Sequence, residues 1–291
     1  MTRAEASGGR QEQYRSVPYL LNTAPGRLYR APLAFAHRGA DPSRENTMGA
    51  FRHAVALGFR YLEVDVRTSA DGQLVLFHDE MLDRVTNGAG RLSDHTWAQL
   101  SQLRVGAAGR EGPAESGERL VRFEDALRAL PETHFNVDLK DAEAAVHFAE
   151  VVTRLGAHRR VLAASFSDSR RRRVQRLLDR DVASSGGSAA VAMLLLLGPL
   201  GGVGSISRKL TGIDCVQVPP RHAGIQIVRP KFIKRCHRAG LQVHVWVVNN
   251  LQEMHRLLQM GVDGIVTDDA EALAEVMRQR SVWPQTDIRR A

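Results

Sequence analysis

From about residue 31 onward, short apolar runs alternate with longer segments whose apolar positions recur every three to four residues. The runs are LAFAH (33–37), YLEVDV (61–66), HFNVDL (134–139), VLAASF (161–166), DVASS (181–185), DCVQV (214–218), QVHVWVV (242–248) and DGIVT (263–267), eight in all. Between them lie helical patterns at 47–58, near 93–130, and at 142–156, 169–180, 188–197, 229–240, 251–261 and 270–280. Strands joined by crossover helices predict a parallel sheet, and eight such units predict an α/β fold of the (β/α)8 barrel type. Gly58, Gly156, Gly240 and Gly261 stand where helices end on a left-handed residue. Asn250, Asp168 and Asp268 are placed to cap helix N-termini. QLVLFH (73–78) is an extra strand, a hairpin after strand two. No internal repeat and no second domain is visible.

The stretch LEVDVRTSADGQLVLFHD (62–79) carries the first chemical signal. Side chains alternate along a strand, so Glu63 and Asp65 share a face. Asp71-Gly72 signals a two-residue type I′ turn. That turn sets Ala70 opposite Gln73 and Asp65 opposite His78, roughly 5 Å apart on one face. Two carboxylates beside an imidazole suit a hard metal ion next to a proton-transfer group. A solvated surface hairpin would carry the same residue types.

Working residues of such barrels sit at the C-terminal ends of strands. Here those ends carry His37-Arg38-Gly39, Glu63 and Asp65, Asp138 and Lys140, Ser165, Gln217, Trp246 with Asn249, and Thr267-Asp268. Charged groups are seldom buried without a partner or a metal, so their convergence on one mouth needs a joint explanation. Glu63, Asp65 and Asp138 are oxygen donors suited to Mg2+ or Ca2+. Arg38 and Lys140 suit a phosphate. His37 and His78 titrate near neutrality and suit acid/base work. The set describes phosphoryl-ester cleavage; a glycosidase would need only a carboxylate pair.

Bulk properties narrow the picture further. The 291 residues are 43% hydrophobic and 25% charged, ordinary for a globular chain. Two cysteines give no disulfide framework and no metal spacing, which makes a reducing, cytoplasmic location the simpler expectation. Residues 1–30 read as a polar, flexible extension without a signal-peptide core, 31–282 as the barrel and 283–291 as a tail. The apolar run 189–204 is shorter than a membrane span and broken by Pro199 and four glycines, so no transmembrane segment is expected. It reads as a buried helix or as an apolar lip touching phospholipid. The net charge is +8 and the pI near 10.1. Much of the excess lies in Arg170–Arg173, Arg176 and Arg180, read as a solvated helix face or an attraction to phospholipid head groups. No module or interleaved aromatics suggest nucleic acid.

AHRGA (36–40), EN (45–46), LEVDV (62–66), ADGQLVLFHD (70–79) and VWVVN (245–249) together resemble the glycerophosphodiester phosphodiesterases over roughly residues 33–280. FNVDLK, ASFSD and DCVQVPPRH follow in matching order. The resemblance implies a distorted (β/α)8 barrel, one divalent ion, Mg2+ or Ca2+, and hydrolysis of small glycerophosphodiesters to glycerol 3-phosphate and an alcohol. His37 and His78 match the acid/base pair, Glu63, Asp65 and Asp138 the metal ligands, and Arg38 and Lys140 the phosphate-holding cations. Glu45 matches a site-supporting acid. Gln217, Arg221, His222 and Trp246 fall where the alcohol or glycerol is read, although Trp246 fits the barrel core equally well. One departure stands out: the family carries Glu where this chain has Asp138, a carboxylate reach shorter by about 1.5 Å. A lipid-directed lysophospholipase D-like enzyme shares this site, and a barrel that only binds its ligand would have lost the residues kept here.

Overall fold

The computed structural model describes residues 18–20, 31–106, 117–196, 210 and 212–285. Its thirteen strands are β1 Leu33–His37, β2 Tyr61–Thr68, β3 Leu74–Leu76, β4 Arg104–Val105, β5 Glu118–Arg119, β6 His134–Leu139, β7 Val161–Ala164, β8 Ala183–Gly186, β9 Cys215–Val218, β10 Arg221–His222, β11 Ile225–Gln226, β12 Gln242–Val245 and β13 Gly264–Thr267. Eight of them pair in parallel in the circular order β1-β2-β6-β7-β8-β9-β12-β13, and β13 returns to β1. This is a closed TIM barrel, with helices α1 Met48–Leu57, α2 Trp97–Leu100, α3 Phe123–Ala129, α4 Ala144–Arg154, α5 Asp168–Leu177, α6 Ser188–Leu196, α7 Pro230–Arg238, α8 Leu251–Gln259 and α9 Ala270–Gln279.

Period-two alternation divides each strand between two cores. Leu33 and Phe35 of β1, Tyr61 of β2, Leu162, Ala183, Cys215 and Val266 fill the barrel interior, while Ala34, Ala36, Leu62 and Val64 pack outward under the helices. The expected helix ends hold: Gly58, Gly156, Gly240 and Gly261 all have positive φ. Asn250 caps α8 by accepting from the Glu253 amide. Asp168 and Asp268 do not cap α5 and α9. Ser167 and Asp269 take those positions, one residue away in each case. The fifth barrel strand also begins at Ala183, two residues later than the apolar pattern suggests.

The hairpin register differs by one residue from the expected one. Thr68 faces Leu74 and Val66 faces Leu76, so Asp65 lies opposite Phe77, not His78. Ala70, Asp71 and Gly72 form a three-residue loop, with the left-handed Gly72 (φ 76°) supplying the extra residue. A one-residue slip turns each side chain to the other face. His78 escapes this because β3 ends at Leu76.

Part of the amino-terminal extension is seated. Tyr19 is fully buried beneath the barrel, edge-on to Tyr61 at 5.3 Å and to His134 at 5.5 Å, and Tyr61 Oη donates to its carbonyl at 3.1 Å. The remainder of 1–30, residues 107–116, residues 197–204 of the apolar run and residues from 286 onward lie outside the described residues. Among the described residues no helix is long and apolar enough to cross a membrane.

Candidate active site

The C-terminal mouth holds a cavity of about 480 Å³. His37, Arg38, Glu63, Asp65, His78, Asp138, Lys140, Gln217, His222 and Trp246 all line it, so ten of the twelve residues matched to the site above converge. Glu45 and Arg221 are the exceptions; Glu45 sits behind Arg38.

The turn after β1 explains the His-Arg-Gly motif. Arg38, Gly39 and Ala40 all have positive φ (51°, 90° and 55°), a tight left-handed curl. The Arg38 amide donates to the Glu63 carbonyl at 2.8 Å and the Ala40 amide to the His37 carbonyl at 2.7 Å. A Cβ on Gly39 would lie 2.7 Å from that of Ala50. The curl leaves His37 facing inward and swings Arg38 across to Asp65.

Each histidine has its Nδ1 held by a carboxylate. His37 Nδ1 is 2.6 Å from Asp268, whose other oxygen accepts from Asn249 Nδ2 at 3.0 Å. His78 Nδ1 is 2.6 Å from Asp79. Both rings therefore leave Nε2 for the cavity, and His37 Nε2 stands 3.7 Å from Glu63. Burial disfavours the charged form of His37, but Glu63 and the Asp268 hydrogen bond outweigh it and raise its pKa. Burial likewise opposes ionisation of Asp79, yet bonds from Arg84 and His78 hold its carboxyl down at about 2.

The cations pair with the acids in a connected set. Arg38 Nε is 2.9 Å from Asp65, and Arg38 Nη1 donates to Glu45 at 3.2 Å. Lys140 Nζ bridges Asp65 at 2.9 Å and Asp138 at 2.6 Å. Asn46 adds a donor to Asp65 at 3.1 Å. Asp65 is buried, but Lys140 and Arg38 keep its pKa below the ordinary range. For Glu63 the help from His37 and Lys140 is outweighed. Burial and the neighbouring Asp65 push it up to about 7.

These residues suit a divalent ion in donor chemistry. Three hard oxygen ligands face one space, and Glu63 Oε2 is buried without a hydrogen bond, which a cation would satisfy. Among the described residues no three acidic, imidazole or thiol groups are gathered as a ready metal cluster, and the Lys140 ammonium stands between Asp65 and Asp138.

Two groups escape the sequence reading, and Asp268, which that reading sets among the strand ends, receives there only a capping role. Asp268 continues the inward face of Gly264 and Val266, a signal masked by its reading as a cap. Asn136 shares the inward face of Asp138 and lines the cavity. Arg84 has no such pattern to announce it. The arginine cluster is also not simply a solvated face. Arg171 is 4% exposed and donates to the Gly212 carbonyl, and Arg170 donates to the Leu139 carbonyl and to Ser165.

A closed barrel whose mouth pairs carboxylate-anchored imidazoles with cations and acids is built as a hydrolase of charged esters. Residues 37–272 match the glycerophosphoryl diester phosphodiesterase family model. A Mycobacterium tuberculosis protein named "Probable glycerophosphodiester phosphodiesterase 2" is 41% identical over 253 residues, covering 86% of this chain and 92% of its own. A glycerophosphodiester phosphodiesterase of Caldanaerobacter subterraneus is 27% identical, over 85% of this chain and 98% of its own. The crystal structure of an Agrobacterium tumefaciens glycerophosphodiester phosphodiesterase superposes with a TM-score of 0.68 at 26% identity, covering 85% of this chain and 99% of that one. The chain belongs to the glycerophosphoryl diester phosphodiesterase family. It is accordingly a phosphoric diester hydrolase.

Proposed function

We propose that this enzyme hydrolyses glycerophosphodiesters to sn-glycerol 3-phosphate and an alcohol, with His37 and His78 as its acid/base pair. The observation that carries this reading is the matched anchoring of the two imidazoles, each held at Nδ1 at 2.6 Å, on one cavity. An imidazole fixed at Nδ1 presents Nε2 in a defined direction for proton transfer. One ring takes the proton of the nucleophile, a water or the neighbouring hydroxyl of the substrate; the other gives a proton to the departing alkoxide. Arg38 and Lys140 hold the phosphate oxygens, the first as a fork and the second as a point charge. Gln217 has a buried Nε2 with no hydrogen-bond partner, a donor suited to a glycerol hydroxyl.

Glu63, Asp65 and Asp138 are the residues that would hold one Mg2+ or Ca2+ ion. A bound divalent ion supplies charge neutralisation at the phosphate. A cytoplasmic site of action belongs to this reading, supported by two free, buried cysteines, Cys215 and Cys236.

A second reading is favoured by the shape of the cavity. β1, β2 and β6 supply its charged arc, and the facing arc presents Phe166, Val191, Leu195, Pro219, Ile227 and Trp246. Phe166 is 61% exposed and stands edge-on to Trp246 at 5.9 Å. An acylated glycerol fits beside that wall, which would admit lysophospholipids, release their head-group alcohol and bring the mouth to a phospholipid surface.

The test is release of glycerol 3-phosphate from glycerophosphocholine and glycerophosphoethanolamine, with Mg2+, Ca2+ or EDTA, beside a lysophosphatidylcholine arm read by release of choline. Cation-dependent turnover of the small diesters supports the first reading. Turnover of the lysolipid alone moves the substrate to the second. Inactivity on every substrate with either ion overturns both.

A further inference from the structure

Arg84 lies outside the cavity, on the segment that follows the hairpin, yet it holds two acids of the site at once. Its Nε donates to Asp79 Oδ2. Its two terminal nitrogens grip Glu45, Nη2 to Oε1 at 2.6 Å and Nη1 to Oε2 at 3.2 Å. Asp79 turns its other oxygen to His78 Nδ1 at 2.6 Å. Glu45 is 8% exposed and also accepts from Arg38 at 3.2 and 3.3 Å. An unbroken line of charge-assisted bonds thus runs His78–Asp79–Arg84–Glu45–Arg38.

We propose that Arg84 is a positioning residue for His78, acting through Asp79, with Glu45 as the brace that fixes it to Arg38. The proposal rests on His78 being half of the acid/base pair. Asp79 is engaged at both oxygens, so it cannot turn away from the imidazole without releasing Arg84. The guanidinium grips Glu45 through two nitrogens while Nε holds Asp79, a planar three-donor geometry that the point charge of an ammonium does not reproduce. A plain surface ion pair would be loose and individually replaceable. This one differs, since both its acids are tied onward into the site. The Arg84 side chain is 49% exposed, so replacing it opens no core cavity.

The experiment compares Arg84→Gln, Arg84→Lys and His78→Ala with the wild type in the full chain. Kinetics are measured on glycerophosphocholine, melting by calorimetry, and the low-field imidazole N–H proton of His78 by NMR. Arg84→Gln should lower kcat by about 10-fold or more with KM within about 3-fold. Arg84→Lys should recover part of that loss, and the His78 proton should move upfield or broaden in Arg84→Gln while melting stays unchanged. An unmoved His78 proton, or an unchanged kcat beside a crippled His78→Ala, overturns the proposal. If His78→Ala turns over normally, the acid/base reading itself fails, and the NMR signal alone decides whether Arg84 fixes the ring.

Discussion

The Nδ1 atom of His37 lies 2.6 Å from a carboxylate oxygen of Asp268, a residue 231 positions further along the chain. The closure of β13 onto β1 creates the contact. Asn249 donates to the second oxygen of Asp268 and accepts from its amide, so the carboxylate is itself held. Asp268→Asn keeps the size but removes the charge and favours the wrong ring tautomer. Turnover should fall by about 10²-fold. His37→Ala and His78→Ala should each cost at least about as much. Glycerol 3-phosphate release measures all three; near-normal turnover in either alanine variant removes that histidine from the chemistry.

Lys140 neutralises two buried acids. Lys140→Met leaves Asp138 without its partner and Asp65 with Arg38 and Asn46 alone. The variant should lose about 3 kcal/mol in urea unfolding. Added Mg2+ or Ca2+ should return part of it, since an ion bound only by the folded state stabilises by mass action. A loss that no cation relieves would count against a divalent ion at these carboxylates.

Gly39→Ala should unsettle the curl after β1. The new Cβ meets Ala50 at 2.7 Å with φ at 90°. A melting shift corresponding to about 1–3 kcal/mol is expected, with a larger loss of turnover than of stability because Arg38 must move. Unchanged melting would mean the turn adapts freely.

His244 sets a pH dependence of stability. It is fully buried on β12 with its ring 5.0 Å from that of Phe35. Burial lowers its pKa from 6.5 to about 4. The folded state therefore binds this proton less readily than the unfolded chain. The contribution is fully present above about 6.5 and is lost as the pH falls through 6.5 to 4, amounting to about 3 kcal/mol. His244→Gln cannot charge, so its unfolding free energy should fall less steeply over that window. Parallel curves for variant and wild type would contradict the assignment.

Alternation and helix ends made the barrel legible, because both are local. Glu63 with Asp65, and Asp138 with Lys140, could be placed on shared faces before any coordinates. The hairpin register was not legible in this way. Asp71-Gly72 serves a two-residue or a three-residue loop, and only the pairing with β2 decides between them. Asp268 looked like a cap because a cap and a strand-end side chain differ by one residue. Arg84 and Tyr19 find partners that no sequence spacing measures.

Tyr19 closes the foot of the barrel, and packed side chains fill the interior above it. The chamber at the other end is a blind alley. Among the described residues, diester, alcohol and phosphomonoester share the mouth at that end. A product still bound there occupies the space that the next substrate needs.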